Sequence, residues 1–370
     1  MAAASNLTAV PIDSATTQSS PHHGPGLPFL QEFLLTIKVL CSLWPAITLF
    51  GLISNMTNII VFSKTSPKNN VTILLLSLAV SDLIFLILAS PKVSIFFILA
   101  VFPSYEWPFN FRYMNYLLYW PTYTAYDISS YISVSLAVIR CACVAMPLKF
   151  KFFFTNSRTV KWVFCLVFIT LALRMPVLTI NRLAWRMDPE TNVSSLYVKS
   201  TNNEMMSRIN DIMNRGVMIY TAYTVTILCT ALLIVKLNKA SKIRRSSTPK
   251  SPQSPDVTSH NQAPGHGLSV KDVQVVKSVV LVCILFILFQ LPFVVSSTLR
   301  LLLPDFDADK RLMYAFGIFS QINTTCSFLN ASLNIFVYYN YNSKFRAVFC
   351  SVFMFLIRKS HPASDDGKHL

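Results

Sequence analysis

The chain has 370 residues, of which 53% are hydrophobic and only 13% charged, where a soluble domain carries roughly 25%. That balance leaves no room for a sizeable water-soluble core. The net charge of +16 is divided among short polar connections rather than gathered on one domain, which excludes a nucleic-acid partner and fits anionic lipid headgroups and an acidic cytosolic partner.

Residues 1–35 are rich in Ser, Thr and Pro at their start and are expected to form a disordered extracellular tail. They are too polar for a cleavable signal peptide, so the first span is expected to act as the insertion signal. Seven apolar stretches follow, at 39–62, 71–101, 116–146, 160–180, 217–235, 273–303 and 313–339. A membrane helix needs roughly 20 apolar residues, a length the fifth reaches narrowly. The connections after the first, third and fifth spans carry Lys64, Lys68, Lys149, Lys151, Arg158 and the run from Lys236 to Arg245. Basic residues stay on the cytoplasmic side, so the N-terminus is read as outside and the C-terminus inside. The last outer loop is balanced instead, with Asp305, Asp307 and Asp309 against Lys310 and Arg311.

No cysteine falls in an expected outer loop, and all six histidines lie in tails or the third cytoplasmic loop. A disulfide framework and haem, zinc or histidine-base chemistry inside the bundle are therefore excluded. Asn6 and Asn192 stand in outer glycosylation sequons. The third cytoplasmic loop, 238–268, is proline-rich and expected to be disordered, with Ser246, Ser247 and Thr248 open to phosphorylation. Residues 342–356 alternate basic and apolar side chains at helical spacing, as an interfacial amphipathic helix would, with Cys350 a palmitoylation candidate ahead of a cytoplasmic tail at 357–370.

Polar side chains recur inside the spans, where each needs a partner or water. They sit in "Ser54-Asn55-Met56-Thr57-Asn58", "Leu78-Ala79-Val80-Ser81-Asp82", "Ile139-Arg140-Cys141" before Pro147, and "Leu333-Asn334-Ile335-Phe336-Val337-Tyr338". In this order on seven spans the pattern resembles the rhodopsin-like (class A) G-protein-coupled receptors, over about residues 36–356. In style the second and third spans look most like molluscan or lophotrochozoan chemosensory and peptide receptor-like orphans. The resemblance implies an all-α membrane protein, a seven-transmembrane bundle over 36–341 with a short amphipathic eighth helix.

Carried over residue by residue, Asn55 matches the first-span asparagine and Asp82 the second-span aspartate. Arg140 matches the arginine of Asp-Arg-Tyr, flanked here by Ile139 and Cys141. Asn334 and Tyr338 match the ends of Asn-Pro-x-x-Tyr, with Ile335 in place of proline. Phe286 and Pro292 match the sixth-span motif, with Gln290 replacing its tryptophan, and Asn115 lies near the place of the usual third-span cysteine. The resemblance implies a sodium site at Asp82, Ser129, Asn330 and Asn334, all oxygen donors that suit a hard cation. The alternative is a protonated Asp82 held by its amide neighbours. Asp272, at the inner end of the sixth span, is expected to pair with Arg140 at rest, or else to be a solvated first-turn residue.

Thr122 stands where amine receptors place an aspartate and Phe328 where the retinal lysine sits, so aminergic and light-sensing functions drop out. The ligand pocket is expected among Lys92, Thr122, Tyr123, Tyr126, Asp127, Arg174, Arg182 and Arg300. Asp127 and Arg174 are read first as a structural ion pair between the third and fourth spans; the alternative is that Arg182, Arg186 and Arg300 present a cationic vestibule to an acidic or amidated ligand. The aromatic run Tyr113, Tyr116, Tyr119, Trp120, Tyr123 and Tyr126 is read first as packing and second as a cation cage.

The expected function is a plasma-membrane receptor that passes ligand binding to a heterotrimeric G protein. A peptide is the first expectation for the ligand, because the second outer loop reads as long, polar and of mixed charge; a small chemosensory molecule is the second. The alternatives are a non-signalling decoy receptor and, further off, a transporter or channel, which would call for an internal repeat and glycine-broken spans that are not seen among only 8 glycines. Nothing resembles an enzyme, and no cofactor beyond the sodium ion is expected.

Overall fold

A computed structural model describes residues 27–66, 68–102, 111–146, 154–175, 181–187, 194–200, 204–246, 270–307 and 310–360. Helix α1 (Leu27–Lys64) starts earlier than expected, so residues 27–35 are helical rather than part of a disordered tail. Helices α2 (Asn70–Val101), α3 (Phe111–Ala145) and α4 (Asn156–Arg174) follow. Asn69 caps α2 by accepting from Thr72 N at 2.9 Å. Asn70 Nδ2 donates to Phe154 O at 2.7 Å and Asn156 Nδ2 to Lys68 O at 2.9 Å, tying the inner ends of α2 and α4 together.

The segment expected as a polar outer loop contains an antiparallel hairpin. Strand β1 (Asn181–Met187) pairs with β2 (Ser194–Ser200), placing Leu183 opposite Val198 and Trp185 opposite Leu196. The fifth span is far longer than the 217–235 expected. Helix α5 (Glu204–Asn210) passes through one π-helical stretch, Asp211–Val217, into α6 (Met218–Ser246). Residues 238–246, expected in the disordered loop, are therefore helical. Helix α7 (Val270–Leu302) is the sixth span.

The seventh span is split. Helix α8 (Met313–Ser332) ends at Leu333 and α9 (Asn334–Tyr341) begins at once. Phe336 N donates to Leu333 O at 3.2 Å, a tighter three-residue return. The interruption is made without proline, since Ile335 holds that position. Helix α10 (Ser343–Ser360) runs four residues past the expected end of the amphipathic segment.

The seven spans form one bundle in which α3 contacts α2, α4, α6 and α7, while α1 closes the ring against α2 and α8. Six helices among the described residues are long and apolar enough to cross a membrane; the split α8 and α9 supply the seventh crossing. The outside of the bundle is apolar: Phe164 and Phe168 on α4 are 71% and 72% exposed, and Leu49 and Ile53 on α1 are 61% and 60% exposed. An apolar surface of that extent is intelligible only against lipid.

Two large apolar clusters fill most of the interior, and a third, small one joins Leu233 of α6 to Val276 and Val280 of α7. The outer one joins Trp44, Phe85, Leu86, Tyr126, Phe328 and Ala331. The inner one joins Leu74, Leu78, Ile132, Leu136, Val282 and Tyr338. Between them, by position on α1, α2, α3, α8 and α9, lies a buried polar layer of Asn55, Asp82, Ser129, Ser130, Asn330 and Asn334.

Candidate functional site

The polar layer is held by helix backbone on one side and by Asp82 on the other. Asn55, wholly buried, donates from Nδ2 to Gly51 O at 2.9 Å and across to Ala331 O at 2.8 Å. Ser54 Oγ donates to Ser332 O at 3.1 Å, and Ser332 Oγ to Ile47 O at 3.2 Å. Helices α1 and α8 can make these bonds because residue 51 is glycine. A Cβ there would overlap Ser332 Oγ and stand 2.6 Å from Leu86 Cδ1. Sequence reasoning did not single out Gly51; its one signal is a glycine within an apolar span, one helical turn before Asn55.

Asp82 is 1% exposed, and among the described residues no basic side chain pairs with it. Ser129 Oγ donates to Asp82 Oδ1, and Asn334 Nδ2 donates to Asp82 Oδ2 at 3.1 Å. Asn330 is buried one turn before Asn334 but does not hydrogen bond to the carboxyl, so the structure joins three of the four expected residues directly. A buried carboxyl without a counter-ion needs either a cation or a proton. The Ser129 oxygen, the Asn334 Oδ1 and the carboxylate itself are the hard donors a sodium ion takes, so the set fits that ion.

Toward the inner end, Tyr338 is 1% exposed and packs edge-on against Phe62 at 5.1 Å, with Phe345 of α10 at 5.7 Å on its other side. This aromatic trio fastens α9 to α1 and to the amphipathic helix. Phe286 is buried in α7, and Cys350 lies half-buried on α10 as a free thiol, as are all eight cysteines. Arg140 is half-buried on the last turns of α3. Asp272 belongs to α7, but its side chain lies outside the described residues, as do the side chains of Ser246 and Arg182. Asn6, Asn192, Ser247 and Thr248 lie outside them altogether.

The outer half holds two cavities that share Tyr119 and Tyr123. One, of about 430 Å³ including its open mouth, lies between α2, α3 and α8 and is lined by Phe85, Lys92, Thr122, Tyr126 and Phe328 among others. The other, of about 770 Å³ including its open mouth, lies between α3, α6, α7 and α8. Pro91 removes one helical hydrogen bond beside Lys92. Without an N–H at residue 91, Ile87 O accepts instead from Ser90 Oγ at 2.8 Å, and Thr122 Oγ1 bridges from α3 to Leu88 O at 3.1 Å.

Two of the expected pocket cations are already matched. Arg174 bonds to Asp127 through Nη2 and, at 3.0 Å, through Nε, with its guanidinium 5.8 Å from the Trp120 ring centre. Arg300 bonds to Asp307 of the last outer loop through Nη2 and, at 3.1 Å, through Nε. Arg311 meets Asp305 at 3.2 Å, on the surface. Gln290, where the resembled family has tryptophan, accepts from Tyr126 O–H at 2.8 Å and so joins α7 to α3 just above the polar layer. Sequence reasoning named both residues but not their bond, because residues 164 apart give no local signal of contact.

No curated protein sequence matches this chain. The profile of the family described as "7 transmembrane receptor (rhodopsin family)" matches residues 54–338, a stretch that begins at Ser54 in the polar layer and ends at Tyr338 in the inner aromatic trio. With seven spans, a split seventh helix, a buried Asp82 layer and a cavity at one end of the bundle, the chain belongs to the rhodopsin family of seven-transmembrane receptors, which bind extracellular ligands and couple to G proteins rather than act as enzymes.

Proposed function

We propose that this chain resides in the plasma membrane with its N-terminus outside, binds an extracellular ligand in the two joined cavities, and activates a heterotrimeric G protein at the other end of the bundle. The observation that carries this reading is helix α3, which lines both cavities with Tyr119 and Tyr123 and bears Arg140 on its inner turns. A ligand that moves α3 against α7, for example by loosening the Tyr126–Gln290 bond, biases what Arg140 meets. In the resting state Arg140 pairs with Asp272, and outward movement of the inner end of α7 releases it to the partner.

A peptide is favoured over a small chemosensory molecule, because the two cavities share Tyr119 and Tyr123 and the larger is lined by both charges of the Asp127–Arg174 pair together with Arg300. The test is second-messenger output in cells expressing the chain, beside Arg140→Ala, against a pooled neuropeptide and metabolite library. A ligand response in the wild type that disappears in Arg140→Ala supports the reading. Silence in both, with surface expression confirmed, turns it toward a non-signalling receptor.

We further assign a sodium ion to Asp82, Ser129 and Asn334, with Asn330 as a fourth donor. Replacing sodium by potassium is expected to lower the thermal midpoint of the purified wild type and to leave Asp82→Asn unchanged. A wild-type midpoint indifferent to sodium would mean that the carboxyl carries a proton instead.

A further inference from the structure

We propose that Lys92 is the anchor for a carboxylate on the ligand, so that the ligand is an anion with an aromatic or aliphatic body seated between α2, α3 and α8. This rests on the reading of the outer cavities as the ligand site and narrows its chemistry.

Charge comes first. The other cations that line the two cavities are neutralised within the protein: Arg174 by Asp127 and Arg300 by Asp307. Lys92 has no such partner among the described residues, and no Asp or Glu lines its cavity. Its ammonium is held instead by aromatic faces, with Nζ 5.8 Å from the ring centres of both Trp44 and Phe96. Cation–π contacts steady an ammonium without neutralising it. Trp44 is itself fixed, wholly buried, by an Nε1 hydrogen bond to Thr325 Oγ1 at 2.9 Å.

Hydrogen-bond donors come second. Four hydroxyls on the cavity wall are already engaged as donors: Thr122 donates to Leu88 O at 3.1 Å, Thr324 to Ser320 O at 2.9 Å, Ser327 to Asn323 O at 2.8 Å and Tyr126 to Gln290 at 2.8 Å. Those four offer an incoming group acceptor lone pairs and the aromatic side chains offer ring faces, while Lys92 offers charge and N–H donors. An ammonium at the edge of an aromatic cavity matches one carboxylate on an apolar body, the combination of apolar walls with a few placed polar groups that ligand sites use. A charge-assisted bond there is sheltered from water and correspondingly strong. A carboxylate of this kind comes from two sources, a small organic acid or the free C-terminus of a peptide whose remaining residues extend past Tyr119 and Tyr123 into the larger cavity.

The experiment measures thermal stabilisation of the purified full-length receptor in lipid discs by a graded series of phenylalkanoic acids, phenylacetate to phenylhexanoate, each beside its primary amide. A second arm uses short peptides ending in phenylalanine, as free acids and as C-terminal amides. At least one acid should stabilise the wild type, with its amide at least about tenfold weaker, the factor expected from losing one charge-assisted bond. The acid's effect should disappear in Lys92→Met and survive in part in Lys92→Arg, which keeps the charge and controls for folding. A response confined to the peptide acids identifies the C-terminus as the source; one confined to the phenylalkanoates identifies a small acid. Amides equal to acids, no acid effect in either arm, or a Lys92→Met receptor that responds like the wild type would overturn the proposal. Binding is read without a G protein, so Lys92-dependent stabilisation with no cellular output would sink the signalling reading alone. Arg140-dependent output that ignores Lys92→Met would sink this one alone.

Discussion

Arg174→Ala should be among the most damaging single substitutions in the outer half, lowering stability by about 3–5 kcal/mol, the usual consequence of leaving a buried charge unpaired. The Asp127 and Arg174 side chains are 21% and 14% exposed, so water reaches the pair poorly. Arg174 supplies two hydrogen bonds to one carboxylate oxygen and lies over Trp120. Its loss would strand Asp127 in the wall of the larger cavity while removing that stacking. Asp127→Asn combined with Arg174→Met removes both charges and is expected to recover most of the loss, because the desolvation cost disappears with the attraction. Thermal unfolding of the purified variants decides the matter. An Arg174→Ala midpoint equal to the wild type would mean that the pair contributes no net stability.

Gly51→Ala is expected to cost about 1–3 kcal/mol, the range for overpacking a close-packed interior. The added carbon would overlap Ser332 Oγ and come within 2.6 Å of Leu86 Cδ1. The leucine end can swing away, but Ser332 is tied to Ile47 O and Phe328 O and sits on a helix that Asn55 and Ser54 already hold. Relief would have to come from separating α1 and α8, which stretches those bonds. Adding Ser332→Gly opens the space on that side and should restore part of the loss. If Gly51→Ala unfolds like the wild type, the two helices do not approach as closely as described.

How much of this was legible in the sequence depends on the range of the signal. The spans were readable because roughly 20 consecutive apolar residues have few other uses. Their ends were not, because a helix continues past the hydrocarbon wherever its residues allow; nothing in the run from Leu27 to Lys38 or from Lys239 to Ser246 breaks one. The hairpin had a signal that was passed over. Leu183, Trp185 and Met187 alternate with Arg182, Ala184 and Arg186, a period of two that marks a strand, but basic residues in an outer loop were read as charge alone. The split at Leu333 could not be read from Ile335, since the tight turn is made without a proline.

Among site residues, the Asp82 cluster came from the family resemblance and the Asp127–Arg174 pair from matching residue type to depth in the membrane; Asp82 meets Ser129 and Asn334, and Asp127 meets Arg174. Asn330 was placed with Asp82 by position and stays a turn away from it in hydrogen-bonding terms. Arg300 was read as a vestibule cation, yet it is neutralised by Asp307, an acid seven residues on that had been assigned to Lys310 and Arg311. Lys92 stood in the sequence as one basic residue among several. Its distinction, the want of a carboxylate partner in an aromatic cavity, emerges only once the other cavity cations, Arg174 and Arg300, have found theirs.

The measurement that tests the account most directly is nucleotide exchange on purified heterotrimeric G proteins by the purified chain in lipid discs, with a ligand that stabilises it. Exchange should rise with ligand in the wild type and fall at least about tenfold in Arg140→Ala, while Asp272→Ala should raise the ligand-free rate by releasing Arg140, a factor of ten answering to about 1.4 kcal/mol. Ligand binding that leaves exchange at the background rate with every class of G protein, or an Arg140→Ala receptor as active as the wild type, would contradict it.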